Sequence, residues 1–202
     1  MAAACGCARA GRGLAPPEGQ QRVVTTIDAD AVDVWLAELG LEPLERVERD
    51  GVHSWDLVVD GRRRADIRLT LILDPRSAIV CWLHFAPALN DSFRVSYRQL
   101  LRWNDELPFV KFALAGDDDR VVLSAEVAAD RVDRHALGLS IARLLAVCDL
   151  TLDRAVAWLW PGARRAPAMG RPSRQTALLD RYADEIAEFA GRERDAGAVE
   201  LD

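Results

Sequence analysis

Residues 65–85 read ADIRLTLILDPRSAIVCWLHF, and this stretch decides the fold. Apolar and polar residues alternate on both sides of Asp74-Pro75, which predicts two strands, 65–73 and 78–85, joined by a tight turn. A connection this short joins only antiparallel strands. The alternation points one set of side chains toward the core: Ile67, Leu69, Leu71, Leu73, Ile79, Cys81, Leu83 and Phe85.

The opposite face of this hairpin carries Val80, Trp82 and His84 on its second strand and Ile72 on its first. A sheet that helices cover on one face is expected to be polar on the other. The outward cluster of Ile72, Val80 and Trp82 therefore indicates a surface that contacts something. Either a partner covers it, or a loop or the C-terminal helix of the same chain does.

The same reading of periodicity extends in both directions from the hairpin. Before it, the sequence predicts a helix at 28–40, strands at 44–49 and 52–59, and a hairpin turn at Asp60-Gly61. After it come a helix at 95–106, strands at 109–114 and 121–127, and a long helix at 135–160. The predicted fold class is α+β: an antiparallel sheet of five to six strands in the order α-β-β-β-α-β-β-α, with helices on one face and a C-terminal amphipathic helix.

Composition divides the chain into four parts. We expect a disordered leader at 1–21, an α+β domain at 22–162, a linker rich in Pro, Gly and Arg at 163–173, and a helix with a frayed tail at 174–202. The apolar stripe of the last helix consists of Leu178, Tyr182, Ile186 and Phe189. A helix this short is not stable alone in water, so it packs on its own domain or on a second chain.

Charge and apolar content exclude several classes. Half of the residues are apolar and the net charge is −6, which excludes wholesale disorder and argues against a nucleic-acid partner. No uninterrupted apolar run approaches about 18 residues, so no membrane span is predicted. The leader lacks the apolar core of a signal peptide, which predicts a cytoplasmic protein. Its Cys5 and Cys7 have no Cys or His partner at zinc-binding spacing, and we interpret them as incidental thiols.

Catalytic motifs are not found in the sequence. The three histidines stand apart, no glycine-rich phosphate loop or nucleophile elbow is present, and the one lysine, Lys111, lies within a predicted strand. We therefore predict no enzyme activity, no cofactor and no metal. The alternative is an enzyme or metal protein whose site assembles from the scattered His84, Asp66 and Glu126.

A local signature links the second helix to the strand pair that follows it. Leu100-Leu101-Arg102-Trp103-Asn104 precedes a strand that carries Lys111, an acidic hairpin at 117–119 and a long closing helix. In these features, over about 28–161, the chain resembles the YbjN family. These are bacterial domains described as sensory transduction regulators, with a fold similar to that of type III secretion chaperones.

This resemblance implies a non-catalytic adaptor or chaperone-like domain, often dimeric, whose partner is a protein or peptide. Ile72, Val80 and Trp82 are then the candidate partner-binding residues. By analogy with the chaperone fold, Tyr97 and Trp103 of the second helix are candidate contacts of a homodimer. For Trp103, packing against the sheet is the alternative.

Overall fold

The hairpin at 65–85 forms the two central strands of the sheet. The computed structural model describes residues 27–87, 94–159, 162, 164, 166 and 169–196. Within them, six strands form one antiparallel sheet in the order β1-β2-β3-β4-β6-β5. The strands are β1 (Pro43–Arg49), β2 (Val52–Val59), β3 (Ile67–Asp74), β4 (Ala78–Ala86), β5 (Lys111–Ala115) and β6 (Arg120–Ala128). The α+β prediction is confirmed, and the short strand before β2 is present.

The predicted register of the central strands is also observed. Leu71 lies opposite Cys81, and Ile72 lies opposite Val80. The side chains predicted to face the core are at most 2% exposed, whereas those of the other face are half-buried or exposed. Alternation places successive side chains on opposite faces, so one register sets both surfaces.

Five α-helices complete the described part of the chain: α1 (Ala29–Glu38), α2 (Arg94–Glu106), α3 (Arg134–Leu159), α4 (Thr176–Arg181) and α5 (Ala183–Ala196). Aspartates begin two of them. The Asp28 carboxylate accepts a hydrogen bond from the backbone N–H of Asp30 at 3.0 Å, and the Asp133 carboxylate accepts one from Ala136 at 2.7 Å. Helix α3 packs on β4 and β6 and buries the inner face of the sheet.

Helix α3 is, with 26 residues, the longest helix of the described part of the chain. Its stretch Arg134–Leu152 is long and apolar enough to cross a membrane by length and composition alone. Arg143 and Asp149 interrupt it, so it is not an uninterrupted apolar run, the pattern that would predict a span from the sequence. In the fold, 67% of the most apolar window is buried against the rest of the protein. A central helix that is covered on most sides is apolar almost all round, as in the core of a soluble protein.

Two local predictions are wrong. Asp60-Gly61 is not a tight hairpin turn, because β2 ends at Val59 and β3 begins only at Ile67. The connection runs from Asp60 to Asp66, and the buried Asp60 carboxylate accepts a hydrogen bond from the backbone N–H of Asp66 across it at 2.8 Å. The C-terminal helix is not continuous either, since it breaks at Tyr182 into α4 and α5. The tyrosine fits over Gly138 of α3, where an added Cβ would lie 2.4 Å from its hydroxyl oxygen.

Candidate functional site

The outer face of the sheet brings together the three residues predicted to bind a partner. Ile72 and Val80 lie directly opposite each other, and Trp82 lies two residues along β4, opposite Thr70. Side chains at such positions are neighbours on one surface. All three are half-buried. Ile72, Val80 and Trp82 therefore form one continuous apolar surface, which we call the outer patch.

The C-terminal helices do not cover the outer patch. Both α4 and α5 pack against α3, on the helix-covered side of the sheet. The predicted stripe of Leu178, Tyr182, Ile186 and Phe189 is buried there, at most 7% exposed, within the main hydrophobic core. The alternative that this helix covers Trp82 in its own chain is therefore wrong.

A row of polar side chains borders the outer patch. The Asp56 carboxylate accepts hydrogen bonds from Arg68 at 2.5 Å and from the Thr70 hydroxyl at 2.6 Å. The Thr70 hydroxyl also lies 3.3 Å from Nε2 of His84. The row crosses β2, β3 and β4, and its hydrogen bonds fix the side chains next to Trp82.

The charges of this row follow from its surroundings. Burial, and then the charge of Arg68, lower the pKa of His84 below its ordinary value, so the imidazole is neutral at pH 7. Burial opposes ionisation of Asp56, but hydrogen bonds from Arg68 and Thr70 outweigh it and lower the pKa of that carboxyl. The row thus presents an ion pair and a neutral imidazole to the solvent.

The scattered enzyme site of His84, Asp66 and Glu126 does not assemble. His84 lies opposite Val122 and Glu126 lies opposite Val80, so the two are separated by four residues, about 13 Å, along the strands. Asp66 precedes β3 and binds arginines of the C-terminal segment. Among the residues that the structure describes, no group of three or more His, Cys, Asp or Glu side chains is placed to hold a metal ion.

The signature residues of the second helix have structural roles. The Asn104 side chain donates to the backbone oxygen of Phe112 at 3.0 Å and accepts from its N–H at 2.6 Å. It bonds the edge strand β5 as a neighbouring strand would, and so blocks that part of the edge. Lys111 donates to the carbonyl oxygens of Asn104 and Leu107 at the end of α2, where a cation is favourable.

The two candidate dimer contacts differ in exposure. Trp103 is 1% exposed and packs on Phe112 with their rings 5.3 Å apart, so its side chain lies inside the protomer. Tyr97 is half-buried and lines a groove beside β5 together with the exposed Leu101 and Leu114. Contact with a second copy stays a prediction, with Tyr97 as its accessible member.

Sequence reasoning missed a buried polar cluster at the end of β2. Asp60 is 0% exposed and binds Arg171 and Arg174, through contacts of 2.5–3.0 Å. Its carboxylate also accepts from the backbone N–H of Arg174 at 3.0 Å and of Asp66 at 2.8 Å. The arginines follow Asp60 by more than a hundred residues, and the adjacent Gly61 favoured an interpretation as a turn. The only signal in the sequence was that Arg171, at the end of the predicted linker, and Arg174, at the start of the predicted helix, stand close together.

Cys5 and Cys7 and the predicted leader lie outside the described residues, as does the tail after residue 196. The comparison with known families bears on the part of the chain that forms the sheet. The model of the YbjN family, described as "Putative bacterial sensory transduction regulator", matches residues 28–155. No curated protein matches the chain. The matched stretch runs from α1 into α3, so α4 and α5 lie beyond it.

Proposed function

This chain belongs to the YbjN family, and on that basis we propose that it is a non-catalytic protein-binding module that acts in the cytoplasm as a regulatory adaptor or chaperone-like domain. The family is described as one of sensory transduction regulators. A regulator without catalysis acts through contacts with other molecules. The observation that carries the proposal is the outer patch.

The outer patch is an apolar surface where the architecture calls for polar residues. Helices cover the inner face, and the outer face of such a sheet is ordinarily polar. Ile72, Val80 and Trp82 nevertheless adjoin in its centre. A tryptophan offers the largest apolar contact area of any side chain, and tryptophans are frequent at the energetically dominant positions of interfaces.

Polar groups frame the outer patch as they frame the centre of a protein interface. The row from Arg68 to His84 lies at one end. Along the neighbouring strand, Ser124 lies opposite Trp82, and Glu126 lies opposite Val80. A partner that fits this surface has an apolar segment for the outer patch. On either side of that segment it has polar residues that can pair with the positive and negative groups around the patch.

At the β5 edge of the sheet, the contacts favour binding of a partner across the face over extension of that strand. The backbone groups of Phe112 that an added strand would need are already bonded by Asn104. We therefore place the protein or peptide partner across the outer patch, with its apolar side chains around Trp82.

Photo-crosslinking in the native cell tests this placement. A photoreactive phenylalanine analogue replaces Val80 in the full chain, and the matched control carries it at Val58, which lies on the same face of β2 away from the patch. We expect an adduct of one defined mass from position 80 and not from position 58. The adduct is lost with Trp82→Ala and regained with Trp82→Phe, which keeps an aromatic ring.

Two outcomes would overturn the proposal. One is the same set of adducts from both positions, which indicates random collision. The other is an adduct that Trp82→Ala leaves unchanged although the variant is folded, as thermal unfolding reports. A partner identified by mass is then purified, and its affinity for Trp82→Ala and for Val58→Ala is compared with that for the native chain.

A further inference from the structure

A cavity of about 330 Å³ lies between α3 and the C-terminal helices. Ala146 and Leu150 of α3 form one wall, and Ile186 and Phe189 of α5 form the other. The connection from β2 to β3 closes one end with Arg62. The volume is at the lower end of the range, about 300–1,000 Å³, that is typical of small-molecule sites.

Small side chains account for the space. Ala146, Ala183 and Ala187 line the cavity where α3 and α5 face each other. The α5 wall lies outside the stretch that matches the family. The cavity therefore belongs to this chain's combination of the family domain with an added helix pair.

The charged residues that line the cavity are two arginines and one aspartate. Both carboxylate oxygens of Asp149 accept backbone N–H hydrogen bonds, from Arg62 at 2.6 Å and from Arg63 at 3.1 Å. The carboxylate of Asp149 therefore faces the backbone of the connection between β2 and β3. The guanidinium of Arg62 reaches Asp180 of α4 at 3.0 Å, and both side chains are more than half exposed, 58% and 65%. Such a surface pair is weak and is readily exchanged for another anion.

From this lining we propose that the cavity binds a small single-chain amphiphile with an anionic head, of the class of alkyl carboxylates. The alkyl chain lies among the leucine, isoleucine and phenylalanine side chains, out of water. The carboxylate lies at the rim beside Arg62, since guanidinium groups bind carboxylates through paired hydrogen bonds. This site is separate from the outer patch, because α3 stands between the C-terminal helices and the sheet.

Calorimetric titration of the purified full chain tests the chemistry of the head group. The probes are dodecanoate, dodecanol and dodecyltrimethylammonium, each below the concentration at which it forms micelles. We expect saturable binding of one dodecanoate per chain, weaker binding of the alcohol and none of the cation. Arg62→Gln lowers dodecanoate affinity about fivefold, the upper end for a surface ion pair. It leaves dodecanol binding unchanged.

A charge control and a steric pair localise the binding. Arg98→Gln removes one arginine charge from an exposed position on α2, away from the cavity, and we expect it to leave dodecanoate affinity unchanged. Ala187 lines the cavity from an exposed position, so Ala187→Trp fills the space without displacing the core and abolishes binding. Ala177→Trp, on the exposed side of α4, preserves it.

Several results would overturn this proposal. The first three are equal binding of the three probes, unchanged dodecanoate binding to Ala187→Trp, and no saturable binding of dodecanoate. The fourth is binding to phosphatidylglycerol vesicles but not to dodecanoate, which would indicate that the ligand is a membrane surface. None of them affects the outer patch, whose test uses different residues.

Discussion

Replacing Asp60 with asparagine tests whether the buried cluster holds the C-terminal helices on the domain. Asparagine keeps the shape of the side chain but removes its charge. It also turns an amide donor toward Arg171 and Arg174, which are themselves donors. Both arginines come from the segment that leads into α4, and Asp60 is fully buried at the end of β2. The substitution therefore removes the ion pairs that join the sheet to the C-terminal segment.

The size of the effect follows from the exposure of the partners. Breaking a buried ion pair by removing one member costs about 3–5 kcal/mol. The arginine side chains are 39% and 45% exposed, so water partly solvates the charges that remain. We expect the lower end of the range, about 3 kcal/mol. With a urea m-value of about 2 kcal/mol/M, the unfolding midpoint falls by about 1.5 M.

The loss depends on pH in a defined direction. Burial disfavours the charged form of Asp60, but hydrogen bonds from Arg174 and Arg171 outweigh burial and hold the pKa of this carboxyl well below its usual range. The unfolded chain takes up the proton first as the pH falls. The stabilisation is therefore complete at neutral pH and declines progressively below about pH 4. The difference in the free energy of unfolding between the native chain and Asp60→Asn should therefore become smaller as the pH falls below about 4.

The assay is urea unfolding followed by tryptophan fluorescence at pH 7 and at lower pH, with amide exchange over 176–189 as a local readout. Asp66→Asn is the matched control. Asp66 binds the same two arginines at 2.8 and 2.9 Å but is 69% exposed, and we expect it to cost less than about 1 kcal/mol. Equal costs for the two substitutions, or an unchanged midpoint for Asp60→Asn, would refute the reasoning.

Three further predictions concern the core. Gly138→Ala brings a methyl group against Tyr182, and we expect a loss of about 1–3 kcal/mol from overpacking in thermal unfolding, whereas no loss would mean that the tyrosine is not seated there. Leu69→Ala removes a fully buried side chain from β3 and should lower the free energy of unfolding in urea by about 2–5 kcal/mol. A loss below about 1 kcal/mol, the size expected for a surface position, would contradict the register of the strand. Burial raises the pKa of the Cys81 and Cys148 thiols to about 12, so neither should react with iodoacetamide until the chain unfolds, and mass mapping of labelled native protein checks this.

The central part of the fold was predictable because its signals are local. The alternation of Leu69, Leu71 and Leu73 fixes the face that each side chain takes, and Asp74-Pro75 fixes the turn. The position of Asp60 was not predictable in the same way, since its partners lie far away in sequence and the aspartate by itself is typical of turns. Long-range polar contacts leave no periodic pattern in a sequence.

The candidate site shows the same division. Alternation places Ile72, Val80 and Trp82 on one face of the sheet, and in the structure they are neighbours on its outer face. Alternation does not say what covers them, because that depends on where a distant helix packs. In the structure, α4 and α5 pack on α3, with Tyr182 between them seated against Gly138.

The arrangement of apolar surfaces is the last argument for an external partner. Helix α3 covers the inner face of the central strands, and α4 and α5 use their own apolar stripe against α3. Asn104 blocks the edge of β5 at Phe112. Within the part of the chain that the structure describes, no helix is left over to cover the outer patch. An apolar cluster that its own helices do not cover is a surface on which binding a second molecule removes apolar area from water. Trp82, as its largest member, is the residue whose substitution should weaken that binding most.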